Sequence, residues 1–226
     1  MECPVIDGRL APTHDLIRLR EPNVLTVNAP MPAWVEPALR VAPWVVVRRG
    51  YVRDGVMPVG VRGPARQQRY AAFLEVAKIE KRLSPEDMTA LHYAVDRIRG
   101  DAVPALGALA RLAPILERRG HRWGPGGSVG FELATGLSTA TVSSDLDVIL
   151  RRDRQLERNE AFDLQAALAE AAAPARIDVI VETPCGGVSL ADLALMPAYL
   201  LLRTPDGARL AADPWMMDTH PLWDGV

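Results

Sequence analysis

The sequence predicts an α+β (α/β) protein, with a small sheet-rich N-terminal domain followed by a domain in which a mixed sheet is flanked by helices. Three observations lead there. Up to about Arg99 the apolar runs are short, β-branched and cut by Pro and Gly, as strands and their turns are. Beyond Gly100, runs at helical spacing alternate with short apolar runs at strand spacing. The 226 residues, 49% of them hydrophobic, suffice to bury a core in two such units. The expected domains are residues 1–99 and 100–226.

In the first domain, APWVVVRRGYV holds a compact β-branched run, and MPVGVRG and the region from Phe73 to Ile79 are shorter strand candidates. A helix is expected over Pro85 to Arg99. Ser84 stands at its N-cap, Pro85 at its first position, acidic residues in its first turn, and Gly100 as its stop. A second helix runs from near Asp101 to Arg119, with Leu106, Leu109, Leu112, Ile115 and Leu116 on one face and Pro114 as a point of kinking. There follow a short strand into Gly126-Gly127, a helix from Ser128 to Thr135, a loop, and a strand from Asp145 to Arg151. An Ala-, Leu- and Glu-rich helix from Arg154 to Ala172, a strand RIDVIVE, a Gly-rich turn with a short helix, and a last strand YLLLR complete the order.

Net charge is −2, so no global basic field draws the chain to nucleic acid, and any anion site must be local. Cys3 and Cys185 are too few for a disulfide framework or a zinc cluster and are expected as thiols. No run reaches the roughly 18 apolar residues of a membrane span, and no secretory start is present, so the cytoplasm is the expected location and no membrane partner is expected.

The chemistry concentrates between His121 and Leu150. A strand points residues two apart to one face, so Asp145 and Asp147 project together while Leu146, Val148 and Leu150 bury. Two ionised carboxylates held close repel unless a cation sits between them, and hard oxygen donors in open geometry suit Mg2+. Asp178, in RIDVIVE, adds a third acid on another strand, since a carboxylate in so apolar a run needs solvent, a partner or a metal. Upstream, Gly126 and Gly127 allow close backbone approach, and Ser128 opens a helix whose free N–H groups favour an anion such as a triphosphate.

The turn Gly126-Gly127-Ser128, the pair Asp145/Asp147 after Ser143-Ser144, and the later Asp178 resemble the signature of the polymerase-β-like nucleotidyltransferase superfamily. More specifically, GSVGFELATGL followed by SSDLDVIL resembles phosphoribosyl-dephospho-CoA transferase, the holo-acyl-carrier-protein synthase of malonate decarboxylase. THDLIRL, VVVRRG and GVRGPARQQRYAAFLE extend the resemblance over most of the chain. The turn departs from the family's Tyr-Gly-Ser form, and Pro125-Gly126-Gly127-Ser128 stands closer to the general superfamily. The resemblance implies a nucleotidyltransferase-like second domain and Mg2+ as cofactor. It implies transfer of a phosphoribosyl-dephospho-CoA group from 2′-(5″-triphosphoribosyl)-3′-dephospho-CoA to a serine of the apo acyl-carrier protein, with release of pyrophosphate. Asp145 and Asp147 would hold Mg2+, Asp178 would be the third ligand or the base, and Gly127, Ser128 and Ser144 would bind phosphate.

Between Arg40 and Arg69 lie seven arginines against one acid, Asp54, a local +6 on a near-neutral chain. This stretch is expected to receive the donor, the acidic carrier, or both, with Arg48 and Arg49 as the named candidates. As strand neighbours they would face opposite ways, so at most one is expected to line the site. His14 is read as a turn or cap residue, and His121 as structural. His92 and His220 lack metal-ligand company, and Trp34, Trp44, Trp215 and Trp223 are read as packing. Two other readings stay open: an ATP-using nucleotidyltransferase acting on a small molecule, RNA or another protein, and a binding module that has lost catalysis.

Overall fold

The computed structural model describes residues 11–91 and 97–216. Cys3, His92, His220 and Trp223 lie outside the described residues. The chain is α+β, built on two sheets.

The first sheet takes β1 (Leu16–Leu19), β2 (Leu25–Thr26), β3 (Trp44–Val47), β4 (Val56–Arg62), β5 (Arg69–Glu75) and β6 (Ile79–Leu83), with helix α1 (Val35–Val41) between β2 and β3. Its strands are ordered β2-β5-β4-β3-β1-β6 and pair antiparallel throughout. Ile17, Val45, Met57, Val59 and Leu74 form its core, closed by Val35 and Leu39 of α1. β4 is buried on both faces because Met57, Val59 and Val61 enter this core while Gly60, between them, lines the cleft described below.

After β6, Ser84 and Asp87 make the expected capping box and Pro85 opens α2 (Pro85–Thr89). The single helix expected to Arg99 is corrected. α2 ends at Thr89, a second helix, α3 (Arg97–Ala102), continues through Gly100, and Gly100 is not a stop. Gly100 instead meets the next helix, α4 (Pro104–Arg118), where a Cβ at Gly107 would stand 2.7 Å from the Gly100 carbonyl oxygen. The break falls at Val103, which is extended because the following Pro104 disfavours helical geometry before it. Pro114 sits inside α4 without ending it.

The second sheet is ordered β12-β11-β10-β9-β8-β7. It consists of β7 (Arg122–Pro125), β8 (Leu146–Arg151), β9 (Ile177–Thr183), β10 (Gly186–Ser189), β11 (Leu200–Thr204) and β12 (Gly207–Ala211). Between its strands lie α5 (Gly127–Thr135), α6 (Arg158–Ala172) and α7 (Leu190–Leu195). Only β8 and β9 run parallel, because α6 carries the chain back between them. Leu109, Leu112 and Leu116 of α4 and Leu164 and Leu168 of α6 pack with Val148, Leu150, Val179 and Val181 in the larger core. α6 begins at Arg158 rather than Arg154, since Glu157 is extended. The Gly-rich turn is corrected to strand β10, and β12 was absent from the reading because its exposed GARLA shows no alternation.

A third cluster joins the two sheets: Leu16 and Trp44 pack with Met88 of α2 and Phe131 of α5. Among the described residues no helix is long and apolar enough to cross a membrane. Cys185 is a buried thiol, as expected.

Candidate active site

The face of β8 and β9 turned away from α4 and α6 forms the floor of a cleft. Their register sets Asp147 beside Asp178, Ile149 beside Ile180, and Arg151 beside Glu182. Alternation sends Leu146, Val148, Val179 and Val181 into the core, so these pairs share the opposite face. Asp178 is exposed, yet it stands on an interior strand rather than an edge.

Asp147 is the centre of this face. Burial pushes its carboxyl above the ordinary range, and the nearby Asp178 and Asp145 carboxylates add to the rise, against a pull from Arg69 and Arg62. The start of α5 lies against it. Gly126 donates its N–H to the Asp147 carbonyl at 2.9 Å, and Gly127 has φ +57, where a Cβ would overlap Asp147 Oδ2. Glycine is required there on both counts. The free N–H groups of a nine-residue helix therefore open beside a carboxylate, which suits a phosphate bridged to the carboxylate by a cation.

Asp145 precedes β8. Arg66 reaches its Oδ2 at 3.1 Å, and Arg176 Nε donates to Oδ1 at 2.9 Å. Both arginines are largely exposed, at 70% and 80%, and free to swing aside. Among the described residues no three His, Cys, Asp or Glu side chains are gathered as a preformed metal cage. The donor set still fits Mg2+, which is commonly held by one or two carboxylates with phosphate oxygens and water completing the shell. The carboxylate crowding at Asp147 is what such an ion relieves.

The first sheet supplies the roof, and the cleft between floor and roof, open to solvent, holds about 490 Å3, in the range of small-molecule sites. Of the arginine-rich stretch, Arg48, Arg49, Arg62 and Arg69 line it, and Arg66 reaches Asp145, while Arg40 pairs with Glu36 and Arg53 lies over Tyr51. The expectation that at most one of Arg48 and Arg49 lines the site is corrected. β3 ends at Val47, so both residues lie past the alternating strand. Burial and the neighbouring Arg69 lower the proton affinity of Arg62, which stands 5.9 Å over the Phe131 ring.

Ser128 is buried, and its carbonyl accepts from Thr139 Oγ1 at 2.9 Å. Ser144 Oγ accepts from the Thr141 N–H at 2.9 Å. Neither serine lines the cleft, and nor do Asp145 and Asp178; Asp147, Gly127, Arg48 and Arg49 do. Glu132, outside the sequence reading, holds the loop leading to Asp145. Its Oε2 accepts from the N–H groups of Thr139 and Ala140, both at 2.8 Å, while Arg99 donates to both of its oxygens.

A second cluster centres on Glu182. His14 Nε2 lies 2.8 Å from Glu182 Oε1, and Arg49 donates to both oxygens of that carboxylate. Burial alone would push Glu182 up, but the bonds from His14 and Arg49 pull it down to about 2. The signal was present, since Glu182 shares the strand period of Asp178. His14 therefore ties the first sheet to the second. Asp15, fully buried and paired with Arg82 within the first sheet, does the same through Arg151 of β8, whose Nη2 is 2.9 Å away. His121 is structural, packed 3.3 Å from Arg152 and shifted down by burial.

A family model described as phosphoribosyl-dephospho-CoA transferase MdcG C-terminal domain matches residues 90–214, and the corresponding N-terminal domain model matches residues 12–85. The chain is 40% identical to a phosphoribosyl-dephospho-CoA transferase of Pseudomonas putida, covering 92% of this chain and 97% of the relative. A transferase of the same name from Azotobacter vinelandii (strain DJ) is 41% identical over the same shares of the two chains. One from Pseudomonas aeruginosa is 38% identical, covering 89% and 92%. No solved structure matches the chain.

Proposed function

The chain belongs to the phosphoribosyl-dephospho-CoA transferase family, a family of transferase enzymes, and from that membership we propose which group it moves, to what, and with which residues. The donor is 2′-(5″-triphosphoribosyl)-3′-dephospho-CoA, and the acceptor is a serine of the acyl-carrier subunit of malonate decarboxylase. The observation that carries the reading is the pairing of Asp147 with Asp178 directly against Gly127 at the start of α5.

In this reading the first turn of α5 and Gly127 bind the triphosphate, and Arg62 and Arg69 balance its charge from the roof. Mg2+ held by Asp145 and Asp147 would supply Lewis-acid charge to the phosphate oxygens. The serine Oγ attacks the α-phosphorus, a new P–O bond forms, and the bond to the bridging oxygen of the β-phosphate breaks, so that pyrophosphate leaves. Asp178, exposed beside Asp147, takes the serine proton or serves as a further metal ligand. Ser144 contributes by fixing the turn before Asp145.

The test is to combine the protein, Mg2+, the donor and apo carrier and to weigh the carrier by mass spectrometry. A gain of one phosphoribosyl-dephospho-CoA group, lost in Asp147→Asn and without added Mg2+, is expected. An unmodified carrier, with pyrophosphate released from ATP in a parallel reaction that supplies ATP in place of the donor, would overturn the proposal in favour of an ATP-using nucleotidyltransferase.

A further inference from the structure

The proposed triphosphate site occupies only one end of the cleft. Along β9, the face bearing Asp178 continues through Ile180 to Glu182, which at the usual strand rise lies roughly 13 Å away. β8 repeats the order with Asp147, Ile149 and Arg151. The roof has the same polarity. Arg62 of β4 pairs with Arg69 of β5, and both act on Asp147. Gly60 pairs with Val46 at mid-cleft. Arg48 follows Val46 on the roof, its N–H bonded to the Pro58 carbonyl at 3.0 Å and its methylenes lying over Gly60, so that its charge stands beside the waist on the side of Arg49. Arg203 joins it there: its strand partner is Gly187, whose missing side chain leaves the space filled by Arg49 Nη2 and Glu182 Oε1.

The cleft thus has two cationic ends separated by an apolar waist of Val46, Ile149 and Ile180. At the far end the charge of Glu182 is answered by Arg49 and His14. Among the described residues, Arg48 and Arg203 have no carboxylate partner. A ligand carrying a single phosphate chain leaves one of these ends unmatched.

We propose that the end lined by Arg48, Arg49, Arg203 and His14 is a second anion subsite, which takes the 5′-diphosphate of the dephospho-CoA part of the donor. This rests on the reading above, in which the triphosphate lies at Gly127 and Asp147. The donor's two phosphate chains are separated by two linked, uncharged riboses, a spacer that places one chain at each basic end and crosses the waist between them.

The test titrates the full chain in Mg2+ with two probes, dephospho-CoA and inorganic tripolyphosphate, each alone and in the presence of the other. Both are expected to bind at once, each changing the other's affinity by less than about twofold. Arg48→Ala and Arg203→Ala, both exposed positions that tolerate truncation, are expected to weaken dephospho-CoA by about tenfold or more while sparing tripolyphosphate. Arg203→Lys should restore part of the loss, and Arg69→Ala should show the opposite selectivity. Displacement of dephospho-CoA by tripolyphosphate would overturn the subsite. So would unchanged dephospho-CoA affinity in both alanine variants, including the case where they raise only the KM for the acceptor, which would assign this end to the acceptor protein. Failure of tripolyphosphate to bind the wild type would instead sink the site proposed at Gly127, leaving the dephospho-CoA titration to decide the far end.

Discussion

Asp147 and Gly127 are the residues on which the site turns, and they make opposing demands on stability and activity. A carboxyl raised by burial and by two neighbouring carboxylates is costly to ionise, so above its ordinary titration range the folded state carries a penalty. Asp147→Asn should therefore melt higher than wild type near pH 7 without metal, and the gain should vanish in acid, where the wild-type carboxyl is already neutral. Thermal scans across pH read this directly, and a variant that melts lower at every pH contradicts it. At Gly127 a methyl group meets both the positive φ and Asp147 Oδ2. Gly127→Ala should lose at least about 1 kcal/mol of stability and most of the turnover, measured by urea unfolding alongside the carrier mass assay.

Among the elements, the loop between α5 and β8 has the clearest consequence. Glu132 receives two backbone N–H groups and the Arg99 guanidinium, so its side chain holds Thr139 and Ala140 on the path into Asp145. Glu132→Ala should raise the Mg2+ concentration needed for half-maximal activity more than it lowers the melting temperature, with Glu132→Gln recovering part of the difference. An equal Mg2+ requirement in all three proteins would remove Glu132 from this positioning role. The strands and helices bearing Gly127, Asp147 and Asp178 were legible because each has a strong period. Strand alternation is a local rule, so the neighbourhood of Asp145 and Asp147 could be read without the fold. What escaped were the break at Val103, a local effect of Pro104, and two features decided by tertiary pairing: the helical Gly100 held against α4, and the exposed edge strand β12.

At the scale of the whole molecule, the cleft exists because Thr13–Asp15 ties the first sheet to the second. Arg151 donates to Asp15 at 2.9 Å across that seam, forms an ion pair with Glu86 at 2.9 Å, and is 13% exposed. Arg151→Ala leaves a fully buried carboxylate with one partner fewer and should cost about 3 kcal/mol in urea unfolding. Glu182 adds a pH signature. Its folded value of about 2 lies below the ordinary 4.5, so its contribution is complete above about 4.5 and lost as pH falls through 2. Acid unfolding should be shallower over that window in Glu182→Gln than in wild type. None of these contacts spanning 130 residues or more was legible, because His14, Arg49 and Glu182 are ordinary residues until the two sheets face each other.

A crystal of the chain grown with the donor and Mn2+ in place of Mg2+ provides the decisive measurement, by anomalous scattering. The expected peak lies within coordination distance of an Asp147 carboxylate oxygen, about 2.1 Å for the native ion, with the triphosphate on the first turn of α5. A metal peak away from Asp147, or a triphosphate bound elsewhere than at Gly127, would contradict the site described here.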